Sequence, residues 1–393
     1  MSENKKKIAI VSGSRADFGL LRPLCYFFET QKSVELWVIA TGSHFSKRHG
    51  YTFNDIVSAN FSNVFRMNLH IEGDASGDIN NYIARSITRT NEFLAAHRID
   101  SLIVLGDRYE ILGVCIAAAI HGIEISHIHG GEVTTGAFDE FIRHSITKMS
   151  SLHFTAHPEY SKRVIQLGED PQTVFFVGGL GAEIVKDLRP KLLSKEDCEE
   201  KLNLKFKKKN LLVTFHPETN KSEGTRSDFL TLLKVLDKCD DICCIFSLPN
   251  ADTGFKFFIQ AVKEFVKFRN QSSYYYFSLG HLRYLSLMQF VDAVIGNSSS
   301  GILEVPSFQI PTINIGSRQD GRVRSISVID TDTSEKGISE AIAKAYSPAF
   351  KESIENCENP FFKQGTVREI GRIILSQDFE SRPKRFFDVS FTS

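Results

Sequence analysis

The sequence predicts an α/β fold of two doubly wound halves, each with a parallel sheet covered by helices on both faces. Short runs rich in Val and Ile alternate along the whole chain with segments of helical apolar spacing. This alternation pauses once, near Asp187–Lys209, where Pro190 and many lysines interrupt it. At 393 residues the chain is also long for a single hydrophobic core.

The apolar runs define two series of predicted strands. The first series comprises Ile8–Ser12, Val34–Ala40, Val64–Met67, Ser101–Leu105, Glu124–His127, Leu152–Thr155 and Val174–Val177. The second comprises Leu211–Phe215, Ile242–Ser247, Tyr274–Ser278, Ala293–Ile295, Thr312–Ile315 and Ser327–Ile329. Helical spacing predicts helices over Asn80–His97, Tyr109–Ile120, Ser227–Leu236 and Lys256–Phe268, and Ser194–Asp197 carries a helix-start signature.

Composition narrows the class of protein. Hydrophobic content of 42% and charged content of 24% are typical of a soluble globular chain. The 47 basic and 47 acidic side chains balance, which argues against bulk binding to nucleic acid or an anionic membrane. No run reaches the ~20 apolar residues of a membrane span or resembles a signal peptide. Cys115, Cys243 and Cys244 lie in apolar runs and are expected to be buried thiols, so we expect a cytoplasmic protein.

Acids, histidines and arginines gather just after two predicted strands. Gly106–Glu110 follows Ser101–Leu105, and His127–Glu132 (His-Ile-His-Gly-Gly-Glu) closes the next strand. Asp139 and Arg143 come shortly afterwards. Ligands of open α/β sheets bind beyond the carboxyl ends of the strands, and titratable groups within reach of one another suit proton transfer. The alternative is a solvated loop with helix-capping acids.

Two strand-to-helix turns rich in small residues are candidate anion sites. Ser12–Gly19 follows the first strand, with Arg15 as a charged donor and a helix expected to begin near Leu20. Gly296–Gly301 (Gly-Asn-Ser-Ser-Ser-Gly) could cradle a diphosphate, with Glu304 on the following helix accepting hydrogen bonds from a ribose diol. The first turn is neither a dinucleotide fingerprint nor a Walker A loop, and the second lacks the Walker lysine. A plain turn and a Ser-rich helix cap are the respective alternatives.

Three further polar residues follow strands of the second half. His216 comes directly after Leu211–Phe215, Asn250 follows the next strand, and Arg318 follows Ile313–Gly316. Each alone is more often an ordinary polar loop residue. Together they favour a site in a shared cleft, where His216 would face the acids of the first half.

In series, these motifs resemble those of UDP-N-acetylglucosamine 2-epimerases, specifically the hydrolysing branch that feeds sialic-acid-type sugar synthesis. The resemblance runs in consistent order from about residue 6 to about residue 375. The matching segments are 13–19, 106–110, 127–132, 138–148, 296–304 and 316–318.

The resemblance implies a GT-B-like fold, two Rossmann-type doubly wound parallel-sheet domains with a cleft between them. It implies an N-terminal domain with the catalytic acids over 1–188, a UDP-binding domain over 189–365, and a helix returning to the first domain over 366–380. It also implies a UDP-sugar substrate without metal or nicotinamide cofactor, and a homo-oligomer, either a dimer or a tetramer.

The family's functional residues can be carried over position by position. The UDP contacts would be Arg15, Arg108, His216, Asn250, Ser298, Ser299, Glu304 and Arg318. The catalytic set would be Asp107, His129, Glu132, Asp139, Arg143 and His216. Relatives acting on plain UDP-N-acetylglucosamine often have a catalytic glutamate at the position of His129. Either His129 or Glu132 would then take that role, and UDP-N,N'-diacetylbacillosamine becomes an alternative substrate.

The implied reaction removes the C2 proton while UDP leaves C1, and water then adds across the resulting double bond. Two rival functions use the same fold. A GT-B glycosyltransferase would need an acceptor site instead of acids clustered near C2. A non-catalytic nucleotide-sugar sensor would not need Asp107 or Asp139.

Overall fold

The computed structural model describes residues 5–46, 50–69, 75–134, 139–216, 222–248, 255–269, 272–277, 279–379 and 384–390. The strands are β1 (Lys6–Ser12), β2 (Val34–Ala40), β3 (Val64–Arg66), β4 (Ser101–Leu105), β5 (Glu124–Ile128), β6 (Leu152–Thr155), β7 (Val174–Phe176), β8 (Lys209–Thr214), β9 (Ile242–Ser247), β10 (Ser273–Tyr276), β11 (Ala293–Gly296), β12 (Thr312–Ile315) and β13 (Val328–Thr331). The α-helices are α1 (Arg15–Glu29), α2 (Phe53–Ser58), α3 (Ser76–His97), α4 (Tyr109–Ile120), α5 (Asp139–Met149), α6 (Pro158–Gln166), α7 (Leu180–Leu188), α8 (Lys195–Leu202), α9 (Ser222–Asp237), α10 (Phe255–Phe268), α11 (Gly280–Leu287), α12 (Ser300–Leu303), α13 (Glu335–Tyr346), α14 (Pro348–Ile354) and α15 (Thr366–Ser376).

These elements form two compact units. Unit 1 takes in Met1–Glu132, Asp139–Glu183 and Lys363–Ser393, and unit 2 takes in Val133–Phe138 and Ile184–Phe362. The domain limits expected from the resemblance, 1–188, 189–365 and 366–380, remain a proposal.

Unit 1 is built on a seven-stranded parallel sheet in the order β3-β2-β1-β4-β5-β6-β7. The chain starts in the middle at β1, runs outward to β3, and then returns to the other side of β1 through β4. The carboxyl ends of β1 and β4 therefore lie side by side at the topological switch point, where an open α/β sheet leaves a crevice for a ligand.

Unit 2 repeats this plan with a six-stranded parallel sheet in the order β10-β9-β8-β11-β12-β13. Its switch point lies between β8 and β11, so the residues after Thr214 and after Gly296 are neighbours. Both sheets are doubly wound as predicted, because apolar strands buried on both faces need helices on each side.

The predicted strands are all present, with ends that shift by one or two residues. Their burial explains why runs of apolar residues predicted them, since Ile8 to Val11 and Leu102 to Val104 are at most 1% exposed. Each fully buried aliphatic side chain of this kind contributes about 1.5–3 kcal/mol to folding. Cys115, Cys243 and Cys244 are fully buried, as expected.

The predicted helices are present too, but their starts were less accurate. The expectation that α1 begins near Leu20 was wrong, because Ser14 accepts a hydrogen bond from the Asp17 backbone N–H at 3.3 Å and caps a helix that begins at Arg15. The cap predicted for α8 is confirmed, with Ser194 Oγ accepting from the Asp197 N–H at 3.1 Å. Among the described residues no helix has both the length and the apolar character to cross a membrane.

Candidate active site

The switch point of unit 1 carries the first predicted anion turn. After β1, the Gly13 carbonyl accepts a hydrogen bond from the Ser43 N–H at 2.9 Å. Gly42 has a φ of +61°, and a Cβ there would collide with the Gly13 backbone, so this close approach of two loops requires glycine. Arg15 opens α1 beside this turn, and burial lowers the pKa of its guanidinium.

Arg108, at the end of β4, is held by an acid of its own segment. Its guanidinium donates from Nε and Nη2 to the Glu110 carboxylate, with the shortest distance 2.7 Å, and Glu110 is only 1% exposed. Burial raises the pKa of nearby Asp17 to about 6, although the charge of Arg108 opposes that shift. Arg108 therefore reaches the switch point already oriented by a buried carboxylate.

Arg143 of α5 connects the catalytic candidates of unit 1. Its Nη2 pairs with Asp107 Oδ2, its Nη1 donates to the His129 carbonyl at 2.8 Å, and the same nitrogen lies 3.8 Å from Glu132 Oε2. Burial alone would lower the pKa of Arg143, but the carboxylates of Asp107 and Glu132 raise it. The Asp107 side chain is 18% exposed and the Arg143 side chain 3%. Asp107 is thus the accessible end of a buried ion-pair network.

His129 and Glu132 form a dyad inside this network. His129 Nδ1–H donates to Glu132 Oε1 at 2.7 Å, and the unprotonated Nε2 accepts a hydrogen bond from the backbone N–H of Leu180 at 3.4 Å. This tautomer follows from the hydrogen-bond partners. The backbone of His129 is left-handed, with a φ of +65°. A carboxylate that holds one ring nitrogen orients the other for proton transfer.

A second buried histidine ties α5 to the end of β4. His127 Nδ1 lies 3.1 Å from Thr147 Oγ1 on α5, and its Nε2 lies 2.7 Å from the Gly106 carbonyl, next to Asp107. Burial lowers the pKa of His127 to about 3, so the ring is neutral and serves as a fixed link. The helix that bears Asp139 and Arg143 is in this way fixed against the end of β4, next to Asp107.

The switch point of unit 2 is closed by a reciprocal pair of hydrogen bonds. The His216 backbone N–H donates to Asn297 Oδ1 at 2.7 Å, and Asn297 Nδ2 donates to the His216 carbonyl at 2.9 Å. The Asn297 carbonyl accepts from Arg318 Nη1 at 3.0 Å and from Gln319 Nε2 at 2.8 Å. The buried Asn297 therefore fixes three loops around the predicted diphosphate turn.

Ser298 and Ser299 lie half-buried at this turn, just before α12 begins at Ser300. Glu304 was expected about two helical turns beyond Asn297, but α12 is a single turn followed by a short 3-10 helix over Val305–Phe308, because Pro306 cannot continue it. Glu304 caps this turn, and burial raises its pKa to about 7.

Gly296 should be indispensable to this geometry. Its φ is +141°, and a Cβ would run into the Thr214 carbonyl of the neighbouring strand. We expect Gly296→Ala to lower the free energy of unfolding by about 2 kcal/mol or more. Gly224→Ala is the matched control: the position is helical with open space around it, so it should be neutral or slightly stabilising. Equal thermal midpoints for the two variants would contradict this account.

The structure thus brings Asp107, His129, Glu132 and Arg143 into one network, with Asp139 in the first turn of α5. Asn250 lies outside the described residues. No roles were assigned from the sequence to Glu110, Thr147 or Gln319, although Glu110 and Thr147 lie inside the recognised segments 106–110 and 138–148 and Gln319 directly follows segment 316–318. In the described parts of the chain, no group of three or more His, Cys, Asp or Glu residues is arranged to hold a metal ion.

Comparison with known proteins identifies the family of the chain. The sequence model of the UDP-N-acetylglucosamine 2-epimerase family matches residues 28–375. Polysialic acid biosynthesis protein P7 of Escherichia coli is 38% identical over 387 residues, covering 98% of this chain and 97% of the relative. The GDP/UDP-N,N'-diacetylbacillosamine 2-epimerase (hydrolyzing) of Campylobacter jejuni is 37% identical, covering 89% of this chain and 90% of the relative. A crystal structure of Neisseria meningitidis UDP-GlcNAc 2-epimerase bound to UDP-GlcNAc has a TM-score of 0.79 at 18% identity, covering 94% of this chain and 100% of that one.

Two Rossmann-type units define the GT-B-like class of proteins, as predicted. The chain belongs to the UDP-N-acetylglucosamine 2-epimerase family. Within that family it is an enzyme of the hydrolysing UDP-sugar branch.

Proposed function

We propose that the enzyme converts UDP-N-acetylglucosamine and water into UDP and free N-acetylmannosamine. A base takes the C2 proton while the bond between C1 and the UDP oxygen breaks, and the electron pair of the C–H bond becomes the C1=C2 double bond. Water then adds its hydroxyl to C1, and a proton returns to C2 from the opposite face.

The observation that carries this proposal is the network of Asp107, Arg143, Glu132 and His129 in unit 1. Two proton-handling groups are needed, one for each face of C2. We assign one role to His129 Nε2, with Glu132 as the residue that orients the ring, and the other to Asp107. Arg143 holds the Asp107 carboxylate in place through an ion pair. Asp139 is proposed as an additional acid at the start of α5.

We assign the nucleotide to the switch point of unit 2. Ser298 and Ser299 would donate to the diphosphate, with His216 and Arg318 stabilising the charge that develops on the departing UDP. Arg15, Arg108 and Asn250 complete the proposed set, and Glu304 would accept hydrogen bonds from the ribose hydroxyls.

The Glu304 assignment predicts a pH dependence. Because the pKa of Glu304 is raised to about 7, the side chain ionises as the pH rises through neutrality. Ribose hydroxyls donate better to a carboxylate than to a carboxylic acid, so UDP affinity should increase between pH 6 and pH 8. Glu304→Gln keeps a hydrogen-bond acceptor but cannot titrate. Calorimetric measurement of UDP affinity at pH 6 and pH 8 should therefore show a smaller increase for Glu304→Gln than for the wild type. The increase that the variant keeps is due to ionisation of UDP itself.

Stability supplies a second check on Glu304. A raised pKa means that the folded state favours the protonated carboxyl, so Glu304 costs stability above its ordinary pKa. The thermal midpoint of the wild type should therefore fall relative to that of Glu304→Gln as the pH rises from 5 to 8. A constant difference between the two proteins would contradict a raised pKa for Glu304.

The decisive test of the function is incubation with UDP-N-acetylglucosamine alone in deuterated water. Release of UDP with N-acetylmannosamine that carries deuterium at C2 is the expected result. Hydrolysis with hydrogen retained at C2 would instead indicate a glycosyltransferase that turns over without an acceptor. Binding of the nucleotide sugar without turnover of any UDP-sugar would indicate a sensor.

A second substrate is favoured by one specific observation. The Campylobacter jejuni relative that is 37% identical is named for GDP/UDP-N,N'-diacetylbacillosamine. The family resemblance, which places a glutamate at the position of His129 in relatives acting on plain UDP-N-acetylglucosamine, points the same way. The same assay run with both UDP-sugars, compared by kcat/KM, identifies the preferred one.

Family resemblance also supports a cytoplasmic homo-oligomer, either a dimer or a tetramer. Light scattering on the purified enzyme measures its mass in solution, and a mass near 44.3 kDa would contradict this proposal.

A further inference from the structure

The C-terminal segment, residues 384–390, packs against other parts of unit 1 and lies beyond the region that the family model matches. That match ends at residue 375, whereas the described part of the C-terminal segment covers residues 384–390. The Phe387 N–H donates to the Gly168 carbonyl at 3.0 Å, and the Phe386 ring lies 4.9 Å from Lys148 Nζ. Gly168 has a φ of +84°, and a Cβ there would collide with the Phe386 ring. The segment is therefore fitted to this face of the unit.

Lys384 makes the most specific contacts of this segment. Its ammonium group donates to the Ser150 carbonyl, to the Thr147 carbonyl at 3.3 Å and to Glu169 Oε2 at 2.7 Å. Thr147 is in the last turn of α5, and Ser150 follows the helix. Carbonyl groups at a helix C-terminus lack partners within the helix and carry partial negative charge, so an ammonium group is well matched to them.

Glu169 anchors this arrangement from inside the unit. Its side chain is 3% exposed and accepts hydrogen bonds from Lys148 at 2.6 Å and His153 at 2.9 Å, in addition to Lys384. Burial would raise the pKa of Glu169, but these three donors lower it, so the carboxylate stays charged. The C-terminal segment is thus fixed to an ionised buried group and cannot slide without breaking an ion pair.

The helix that Lys384 caps is the one that organises the candidate active site. Arg143 lies one helical turn before Thr147 and binds Asp107 and the His129 carbonyl. A shift of the C-terminal end of α5 would move this guanidinium with it, and small misplacements of catalytic groups are costly.

We propose that Lys384 is a positioning residue for the reaction: it caps α5 and holds the helix where Arg143 and Asp139 serve the acid–base network. This inference rests on the proposed function, since it assigns Lys384 a part in the same chemistry. The residue touches neither substrate nor reacting atoms in this role. Its contribution should therefore be to kcat, with little effect on substrate binding.

The test compares Lys384→Met, Lys384→Arg and Arg385→Met in the full-length enzyme. Methionine keeps the length of the lysine side chain without the charge, arginine restores the charge, and Arg385 is an exposed neighbour on the same segment. We expect Lys384→Met to lower kcat by about tenfold with KM within about twofold. Lys384→Arg should recover most of the loss, and Arg385→Met should behave as wild type.

Hydrogen–deuterium exchange of the substrate-free proteins supplies a readout independent of activity. Backbone amides of α5 should exchange faster in Lys384→Met than in the wild type, while those of β8 to β13 remain unchanged. An unchanged kcat in Lys384→Met, an equal loss in Arg385→Met, or loss of activity that arginine does not rescue would each overturn the inference. A wild type that turns over no UDP-sugar would instead refute the proposed function, which keeps the two failures distinct.

Discussion

Asp107→Asn should lower kcat by about 10²-fold or more and leave UDP affinity nearly unchanged. The amide has nearly the shape of the carboxylate but cannot take or give a proton at neutral pH. The side chain lies at the accessible end of the Arg143 network, and the proposed UDP contacts lie mostly in unit 2. Steady-state kinetics together with calorimetric titration of UDP measure the two effects separately.

Asp100→Asn provides the matched control. Asp100 precedes β4 at its amino end and accepts a hydrogen bond from the Lys7 N–H at 2.7 Å, whereas Asp107 follows the carboxyl end of the same strand. Asp100→Asn should keep its activity within about twofold. Asp107→Asn should also lower the thermal midpoint, because the buried Arg143 loses a charged partner. An Asp107→Asn enzyme with wild-type kinetics would remove this carboxylate from the mechanism.

The strands and the order of the motifs were predictable because they depend on local pattern. Runs such as Ser101–Leu105 are almost entirely apolar because both faces of a parallel strand are covered. Such a run can be recognised in the sequence without knowing which strands lie beside it. The start of α1 was harder to predict, because Ser14 could belong to a turn that precedes a later helix or could itself cap a helix that begins at Arg15. Only the hydrogen bond from Asp17 to Ser14 distinguishes them.

The connections within the site could not be predicted in the same way. Arg143 binds Asp107, 36 residues away, because α5 docks beside the end of β4, and that docking depends on the packing of the whole sheet. The left-handed backbone of His129 could not be predicted from the sequence either, because nothing in the two glycines that follow indicates that the histidine before them adopts it. The sequence could therefore nominate residues that the structure brings together, but it could not show which side chain binds which.

The His129–Glu132 dyad leads to the second large prediction, that His129→Asn should nearly abolish C2 deuterium incorporation, by about 10²-fold or more. Asparagine tolerates the left-handed backbone that His129 adopts, so the substitution avoids most of the strain that alanine would introduce. Its Nδ2 can replace Nδ1 as the donor to Glu132, but it has no counterpart of the basic Nε2. The variant separates proton transfer from positioning.

The opposite outcome has an equally definite meaning. If His129 only holds Glu132 or shapes a pocket for a 4-acetamido group, His129→Asn should keep most of its activity, and Glu132→Gln should be the more damaging change. His129→Glu then becomes informative, because it introduces the glutamate that the family resemblance associates with plain UDP-N-acetylglucosamine. Activity of His129→Glu with a preference shifted towards that sugar would assign His129 to substrate choice.

Because Glu132 Oε1 lies 2.7 Å from His129 Nδ1, a glutamate at this position would face a like charge. The protonation of two carboxyl groups at this distance is coupled, so the pH–rate profile of His129→Glu should differ in shape from that of the wild type.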